Sequence, residues 1–598
     1  MVLKSFFKVV LALFVMIILA FFFMKTSISA SVNTKVLHDE IVYDVIVLSG
    51  EPEGVAAAVS AARNGMKVLL IEKRDGLGGL MTYGMMNYLD IPMNDKKQVV
   101  SQGIFSEWHK LVGGQNIITV DPFVAKKAFQ HLVDQEKNIT VFFSTKLVKP
   151  ILKGNKMIGI VVERNGKIEK YFGKVTIDCS PDADLAAMAG VPFFIGQEDI
   201  GKKDIMATTL MIHLEGVNWE KVAQVVKEEQ FGKAAMNKTA AWGFHDIEDL
   251  YEEKLSQTNV RGLNIGKTTN GDIYINALQI YHVDWQNPKS IETGINIGKQ
   301  EAIEFVKWLN QNFHGFEKAK IKSFPNELYI RETRHILAEY QLTIRDVWEN
   351  KHFWDDVAIG GYPSDVQTPY KGRRGYIVVN PNQYGIPLRS MIPKKIDQLL
   401  VASKSGGYTS LAASSARVIP TGMAVAQAAG VVASKSVKEN KSIRKIARDI
   451  DQVKEIQTIL KKQGQYLSKL ENPDFPYKNE DYYKDMMYLV EKGLLVAGYT
   501  NNIFPDQTMT IQTAANIIAN GIKQLNVNIY QNVFPLIEPY LNKDNENLTG
   551  QQLSQISEAL TGKNKPELEQ KTELKRKEIF PVLVEILQHF ETKNQIQK

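Results

Sequence analysis

Cysteine is almost missing from this sequence: 598 residues contain one, Cys179. A lone thiol excludes an intrachain disulfide, a CxxC redox pair and an iron–sulfur cluster held by the chain's own thiolates, so electron transfer here requires an organic cofactor. Long low-complexity stretches are also lacking. With 44% apolar and 23% charged residues, the composition is that of a globular protein. Charge of one sign is scarce too. Lys plus Arg number 72 against 66 Asp plus Glu, a net charge of +6. The basic residues form no stripe interleaved with aromatics, so no nucleic-acid partner is expected. No cluster has metal-ligand spacing and no nucleophile stands with its partners, which leaves no metal site and little support for a hydrolase. The length predicts about three domains, or one large enzyme with appendages.

The N-terminus is built differently from the rest. Lys4 and Lys8 lead into an apolar run at 9–24, followed by Lys25 and the small residues SISAS at 27–31. That is the layout of an export segment over 1–30, with no twin-arginine pair before it. The run is slightly shorter than the roughly 20 residues of a spanning helix, and two readings stand: a signal peptide cleaved near Ala30, or an uncleaved membrane anchor. The expected location is extracytoplasmic, as a secreted, cell-surface or membrane-anchored protein. An anchored enzyme facing inward is the rival.

Tyr43 to Gly79 reads as strand, turn, helix, strand. Val45 to Leu48 suits a buried parallel strand. Gly54 opens an alanine-rich helix ending at Asn64-Gly65, and the strand Val68 to Ile71 runs into Glu72. In a dinucleotide-binding unit an acid so placed accepts bonds from the ribose hydroxyls, while the helix N-terminus offers N–H groups and a positive dipole end to a pyrophosphate. On the G-x-G-x-x-G frame, the three positions hold Ser49, Glu51 and Gly54. Gly50 is the candidate for the tight turn, and Glu51 puts a side chain where backbone should come closest to the phosphates. Ser49, Gly50, Pro52, Glu53, Gly54 and Glu72 are the cofactor-binding candidates here. The alternative is a βαβ unit that only builds a sheet.

This segment, with EKRDGLGG at 72–79, resembles the FAD-dependent oxidoreductase family, whose members open on a GGGPAG or GGTPAG turn and continue into EK…LGG. Further blocks carry the resemblance from about Tyr43 to Leu467. TIDCSPDADLAAMAGVPF at 176–193 is similar to the family's IDATGDGDLA segment, and IRETRHILAEYQLTIRDVW at 330–348 to its RE-x-R block. GGYPSDV at 360–366, YGIPLRSMIPKKIDQLLVAS at 384–403 and SSARVIPTGMAVAQAAGVVAS at 414–434 follow, then a closing helix. The resemblance implies FAD, noncovalently held. It also implies an FAD domain from about 40–200 and 375–440, a cap at about 200–375, and a closing helix at 443–467. To the cofactor-facing set it adds Lys73, Gly78, Gly79, Leu147, Cys179, Ser180, Asp182, Arg417, Pro420 and Thr421. Independently of kinship, Pro420 and Thr421 lie at the start of a small-residue helix able to approach closely. Its N-terminal dipole could face a flavin ring; a plain helix packed on a sheet is the alternative. The chain departs from the family at Ser180-Pro181, Ala183 and Ser403, each in place of small family residues.

Chemistry at a flavin needs a cation or donor to hold an anionic or carbonyl substrate. Arg331, Arg334 and Arg417 are the catalytic candidates, each able to clamp a carboxylate in bidentate fashion. Internal pairing is the alternative: Arg331 or Arg334 with Glu332 or Glu339, or Arg417 holding the chain return. His335 is expected on a helix in a structural role. Residues 206–214 read as a strand of the cap.

Beyond the closing helix, 471–522 resembles a surface-layer homology module: a helix, KGLLVAGY, a turn NNIFPDQ and a second helix. Tyr499 and Phe504 are expected to pin that pair around the Asn-Asn turn. The module's wall-binding motif would fall at Thr510-Ile511-Gln512-Thr513, without its arginine and acid. The fold expected is thus α/β: an FAD/NAD(P)-binding Rossmann-like domain with an inserted cap domain, plus a small α-helical C-terminal module at 471–598. The expected function is FAD-dependent oxidation or reduction of a small-molecule substrate, with an electron acceptor the sequence does not name and a cell-wall polymer as a further partner. The alternative is a non-catalytic cell-surface binding or scaffold protein that keeps the fold.

Overall fold

The computed structural model of the chain describes residues 42–114, 118–543 and 546–596, so the export segment at 1–30 lies outside the described residues. Strand β1 (Val42–Leu48) pairs in parallel with β2 (Val68–Ile71), and β2 with β3 (Ile139–Phe142). Three further strands, β4 (Thr145–Lys153), β5 (Lys156–Arg164) and β6 (Lys167–Asp178), form an antiparallel meander. The second half of β6 runs parallel to β1, Val47 facing both Leu70 and Ile177. The order is β3-β2-β1-β6-β5-β4. Parallel strands covered on both faces need continuous apolar runs, and Val45, Ile46 and Val47 are fully buried. Helix α1 (Pro52–Arg63) links β1 to β2, its small residues buried throughout.

The cap is a second seven-stranded sheet, built from β7 (Thr208–Thr209), β8 (Ile212–Glu215), β9 (Ala234–Met236), β10 (Ala240–Gly243), β11 (Thr258–Lys267), β12 (Ile273–Ile280) and β13 (Lys320–Ser323). Its order is β9-β10-β11-β12-β8-β13, with β7 beside β12. Helix α2 (Pro288–Asn312) buries Ala302, Phe305 and Leu309 against the sheet, in a core of the cap's own. That core ends at Ile321 and Phe324, and Leu342 to Met391 already pack with the first sheet. The chain therefore leaves the cap near 330 and not near 375. His335 lies on a short strand, Arg334–Ile336, rather than a helix, because this segment pairs with Phe193–Ile195.

A two-strand ribbon, β14 (Asp365–Val366) with β15 (Tyr376–Ile377), precedes β16 (Leu399–Val401), which adds to β6 in parallel. Helix α3 (Ile419–Glu439) then packs along α1, where Ser60 Oγ donates to the Gln427 carbonyl at 2.7 Å. The predicted closing helix is two helices, α4 (Ile443–Arg448) and α5 (Ile450–Lys462). They break at Asp449, whose carboxylate caps α5. Among the described residues no single helix is long and apolar enough to cross a membrane.

The C-terminal helices are α6 (Tyr483–Glu491), α7 (Ile511–Leu525), α8 (Val527–Ile537), α9 (Gly550–Thr561) and α10 (Arg576–Ile596). They share one apolar core with the first sheet, which continues from Val45 through Met486 and Ile518 to Phe590. Polar seams reinforce it: Arg345 clamps Glu491 at 2.8 and 3.0 Å, and Trp348 Nε1 donates to the Pro476 carbonyl. The side chains of Tyr499 and Phe504 are exposed, and Tyr499 contributes its carbonyl, which accepts from Asn380 Nδ2 at 3.1 Å. The turn is held instead by Asn501, whose amide takes both the N–H and the carbonyl of Asn380, at 2.8 and 2.7 Å. Thr510 caps α7 and Gln512 donates to the Leu541 carbonyl, so both serve the module's own folding.

Candidate functional site

The carboxyl ends of β1, β2, β6 and β16 border one cavity of about 650 Å³ that residues of the cap line on the other side, the place where open α/β sheets take their ligands. Of the predicted residues, Pro52, Glu53, Lys73, Cys179, Asp182, Arg331, Arg334 and Arg417 line it. Ser49, Gly50, Gly54, Glu72, Gly78, Gly79, Ser180, Pro420 and Thr421 are not part of that lining, though each is a near chain neighbour of residues that are. Leu147 is elsewhere, on β4, packed half-buried against the core behind the first sheet.

At the turn after β1, Gly54 has no room for a side chain: a Cβ would sit 1.7 Å from the Ser49 carbonyl oxygen. Ser49 itself has φ +79, a left-handed conformation that favours glycine. Glu72 is fully buried, and both its oxygens are bonded to the chain, one to Gly50 N–H at 2.5 Å and the other to Arg74 N–H at 2.7 Å. Arg74, which sequence reading passed over beside Lys73, is the hub of this end. Its guanidinium reaches Glu51 at 2.7 Å, Glu72 at 3.2 Å and Glu327 of the cap edge at 2.6 Å. Burial alone would lower its pKa, but the charges of Glu51, Glu327 and Glu72 raise it further. Burial, aided by Glu51, pushes the Glu53 carboxyl up to about 8.

The β6 turn is internally bonded. Asp178 accepts from Ser180 N–H and Oγ at 3.0 and 2.6 Å and from Ala186 N–H at 2.9 Å, yet burial still raises it to about 6. Burial also keeps Cys179 protonated, well above its ordinary value, so it has no use as a nucleophile. Asp182 accepts from Lys404 Nζ at 3.0 Å and Thr333 Oγ1 at 2.7 Å. Against its burial, these hold it below the usual carboxylate range.

Under the cap the arginines differ. Arg334 is paired with Asp184 at 2.8 Å and lies 4.5 Å from the Trp285 ring centre. Arg417 accepts no such tight clamp: Nη1 donates to Tyr329 Oη at 2.7 Å, and Asp365 stands 3.6 Å away. Its Nε is buried without a hydrogen-bond partner. The hydrogen-bond partners of Arg331 are all neutral, the Ala207 carbonyl at 3.0 Å, Thr209 Oγ1 at 2.8 Å and Asn276 Oδ1 at 3.4 Å, and its guanidinium lies 4.1 Å from the Tyr329 ring centre. Neither Glu332 nor Glu339 is its partner; they go to His335 and to Arg444. Burial, with Arg261 and Arg417 nearby, lowers Arg331 to about 10. Asp90, also in the lining, is raised by burial against a hydrogen bond from Tyr362 and the charge of Arg417. No sequence signal distinguished Asp90 or Tyr329, while Tyr362 lies in the family block GGYPSDV at 360–366 without having been singled out.

The frame fits a flavin dinucleotide: β1 and β6 side by side, two helix N-termini and small residues at α1 and α3 bordering a cavity of suitable size, and a cationic far end. The misfit is local. Glu51 lies at the turn's second glycine position, where its carboxylate fills the space above Gly79.

The family model described as FAD dependent oxidoreductase matches residues 44–460. Digeranylgeranylglycerophospholipid reductases of Thermoplasma volcanium and Picrophilus torridus are 27% and 25% identical over 274 and 305 residues. These matches cover 44% and 48% of this chain and 58% and 63% of theirs, so the chain spans less than two thirds of the length of these relatives. A dihydrolipoyl dehydrogenase of Trypanosoma brucei brucei is 27% identical over 269 residues, 39% of this chain and 52% of its own. Among solved structures, a geranylgeranyl bacteriochlorophyll reductase-like protein of Thermoplasma acidophilum covers 87% of this chain and 96% of its own, at 11% identity and a TM-score of 0.37.

Proposed function

The chain belongs to the FAD dependent oxidoreductase family, and from that premise we propose that it oxidises or reduces an anionic small molecule outside the cytoplasmic membrane. Bound FAD supplies hydride or electron transfer. The observation that carries the reading is Arg331, a buried cation in the cavity wall whose hydrogen-bond partners are all neutral. A buried charge without a counter-charge is costly unless a ligand supplies one. Arg417, lining the same cavity with a free buried Nε, is the second donor to that ligand. Together they fix a carboxylate or phosphate and so orient the rest of the substrate. A phospholipid, the substrate class in the reductase relatives' name, carries such an anion. Arg334, held by Asp184, shapes the cavity rim.

Export is supported by the N-terminal segment alone, and wall attachment by the C-terminal resemblance alone. A non-catalytic scaffold is the second reading, favoured by Glu51 in the nucleotide turn. Absorbance of the full chain after FAD addition and gel filtration tests the choice. Co-eluting flavin, with bands at about 375 and 450 nm, is expected. Folded, colourless protein would leave the scaffold reading. In the flavin-bearing protein, small carboxylates should perturb the flavin spectrum, and Arg331→Met should abolish that response.

A further inference from the structure

A dinucleotide-binding turn needs bare backbone at its second glycine, because the pyrophosphate comes closest there. At that position Glu51 turns a carboxylate inward. Its Oε1 accepts from Arg74 Nη2 at 2.7 Å and its Oε2 from Leu80 N–H at 3.0 Å. It rests on the bare face of Gly79, where a Cβ would lie 1.7 Å from Oε2. The side chain is 6% exposed. A guanidinium and a backbone N–H beside a helix N-terminus are the donors a phosphate takes. One carboxylate of the chain thus holds both the space and the donors of a phosphate group.

The neighbours reinforce that arrangement. Glu327 grips Arg74 in bidentate fashion at 2.6 and 2.8 Å, and Glu72 adds a third carboxylate. Glu53 stands two residues on, buried and lining the same cavity. A diphosphate entering here meets negative charge and a guanidinium already shared.

Resting on the flavin reading above, we infer that Glu51 is a resident anion in the pyrophosphate cradle, and that FAD binds only by exchange with it. The Glu51 side chain leaves, and Arg74 and the Leu80 N–H pass to the phosphates. The cofactor-free protein is thereby held closed and well bonded, and the cofactor is held weakly and reversibly. Removing the carboxylate helps FAD twice, by freeing two donors and by deleting a like charge.

The test uses the full chain with Glu51→Gly and Glu51→Gln, each stripped of flavin and titrated with FAD by flavin fluorescence, with melting of the cofactor-free forms alongside. Glu51→Gly should bind FAD at least tenfold more tightly than the wild type and melt lower without it, and Glu51→Gln should show a smaller gain. If the wild type binds FAD and folded Glu51→Gly binds no more tightly, the exchange is overturned and the flavin reading stands. Should Glu51→Gly fail to fold, Glu51→Gln decides, and an affinity no better than wild type overturns it. If none of the folded forms binds FAD, the flavin reading falls and the exchange with it.

Discussion

Arg74 and Arg331 line one cavity, the first at the nucleotide turn and the second under the cap. Arg74 is gripped by three carboxylates, whereas Arg331 bonds to a carbonyl, a hydroxyl and an amide oxygen and lies over the Tyr329 ring. The same side chain is the hub of an ion-pair network at one end and a cation without a salt bridge at the other. The difference teaches how each end takes a ligand. A network already satisfied by the chain must exchange a partner to take one, whereas a buried cation with only neutral hydrogen-bond partners need give up no ion pair.

That contrast can be broken by substitution. Arg74→Met should cost the most, about 3–5 kcal/mol, since it strands buried carboxylates; thermal or denaturant unfolding reads it. Glu53 gives a pH signature at the same end. Its folded pKa of about 8 lies above its ordinary 4.5, so the folded state holds the extra proton between those values. Stability should therefore fall as pH rises from about 4.5 to 8, at up to about 1.4 kcal/mol per pH unit, and Glu53→Gln should flatten that slope. At the cap end, Asn501→Ala removes the clasp on Asn380 and should cost about 1–2 kcal/mol. Faster hydrogen exchange should be confined to the β14–β15 ribbon, which carries Asp365 toward Arg417, and leave the nucleotide turn unchanged. Smallest of all, Arg331→Met should shift stability by no more than about 1 kcal/mol, because relief of the buried charge offsets the lost bonds. A large loss of stability there would sink the comparison.

Local pattern carried much of the fold. The apolar runs of β1 and β2 and the alanine-rich α1 were legible because each is set by near neighbours, and Val68 to Ile71 is the observed strand. The family blocks at 176–193 and 384–403 hold the end of β6 and the strand β16 that joins it, and the block at 414–434 holds most of α3. What failed depended on distance. His335 became a strand residue because Phe193–Ile195 pairs with it. The cap ended earlier than expected because its core closes on α2. Tyr499 and Phe504 look like pins in sequence, but the clasp is Asn501 on Asn380, a partner 121 residues away. In the site, Glu51 was visible as a misfit in the turn, while its consequence required Arg74 and Glu327, 253 residues apart.

The joining of β16 to β6 also sets a timetable. Leu399 to Val401 must reach Thr176 to Asp178, and α3 must reach α1, before the nucleotide half of the cavity has all its walls. A chain emerging from its N-terminus carries β1, α1 and β2 for hundreds of residues without the helix that covers them. Their apolar faces are then open to wrong partners, and long-range pairing of this kind slows folding. The C-terminal helices, sharing the same core, close it last. This protein should therefore depend more on holding factors during synthesis than its final stability would suggest.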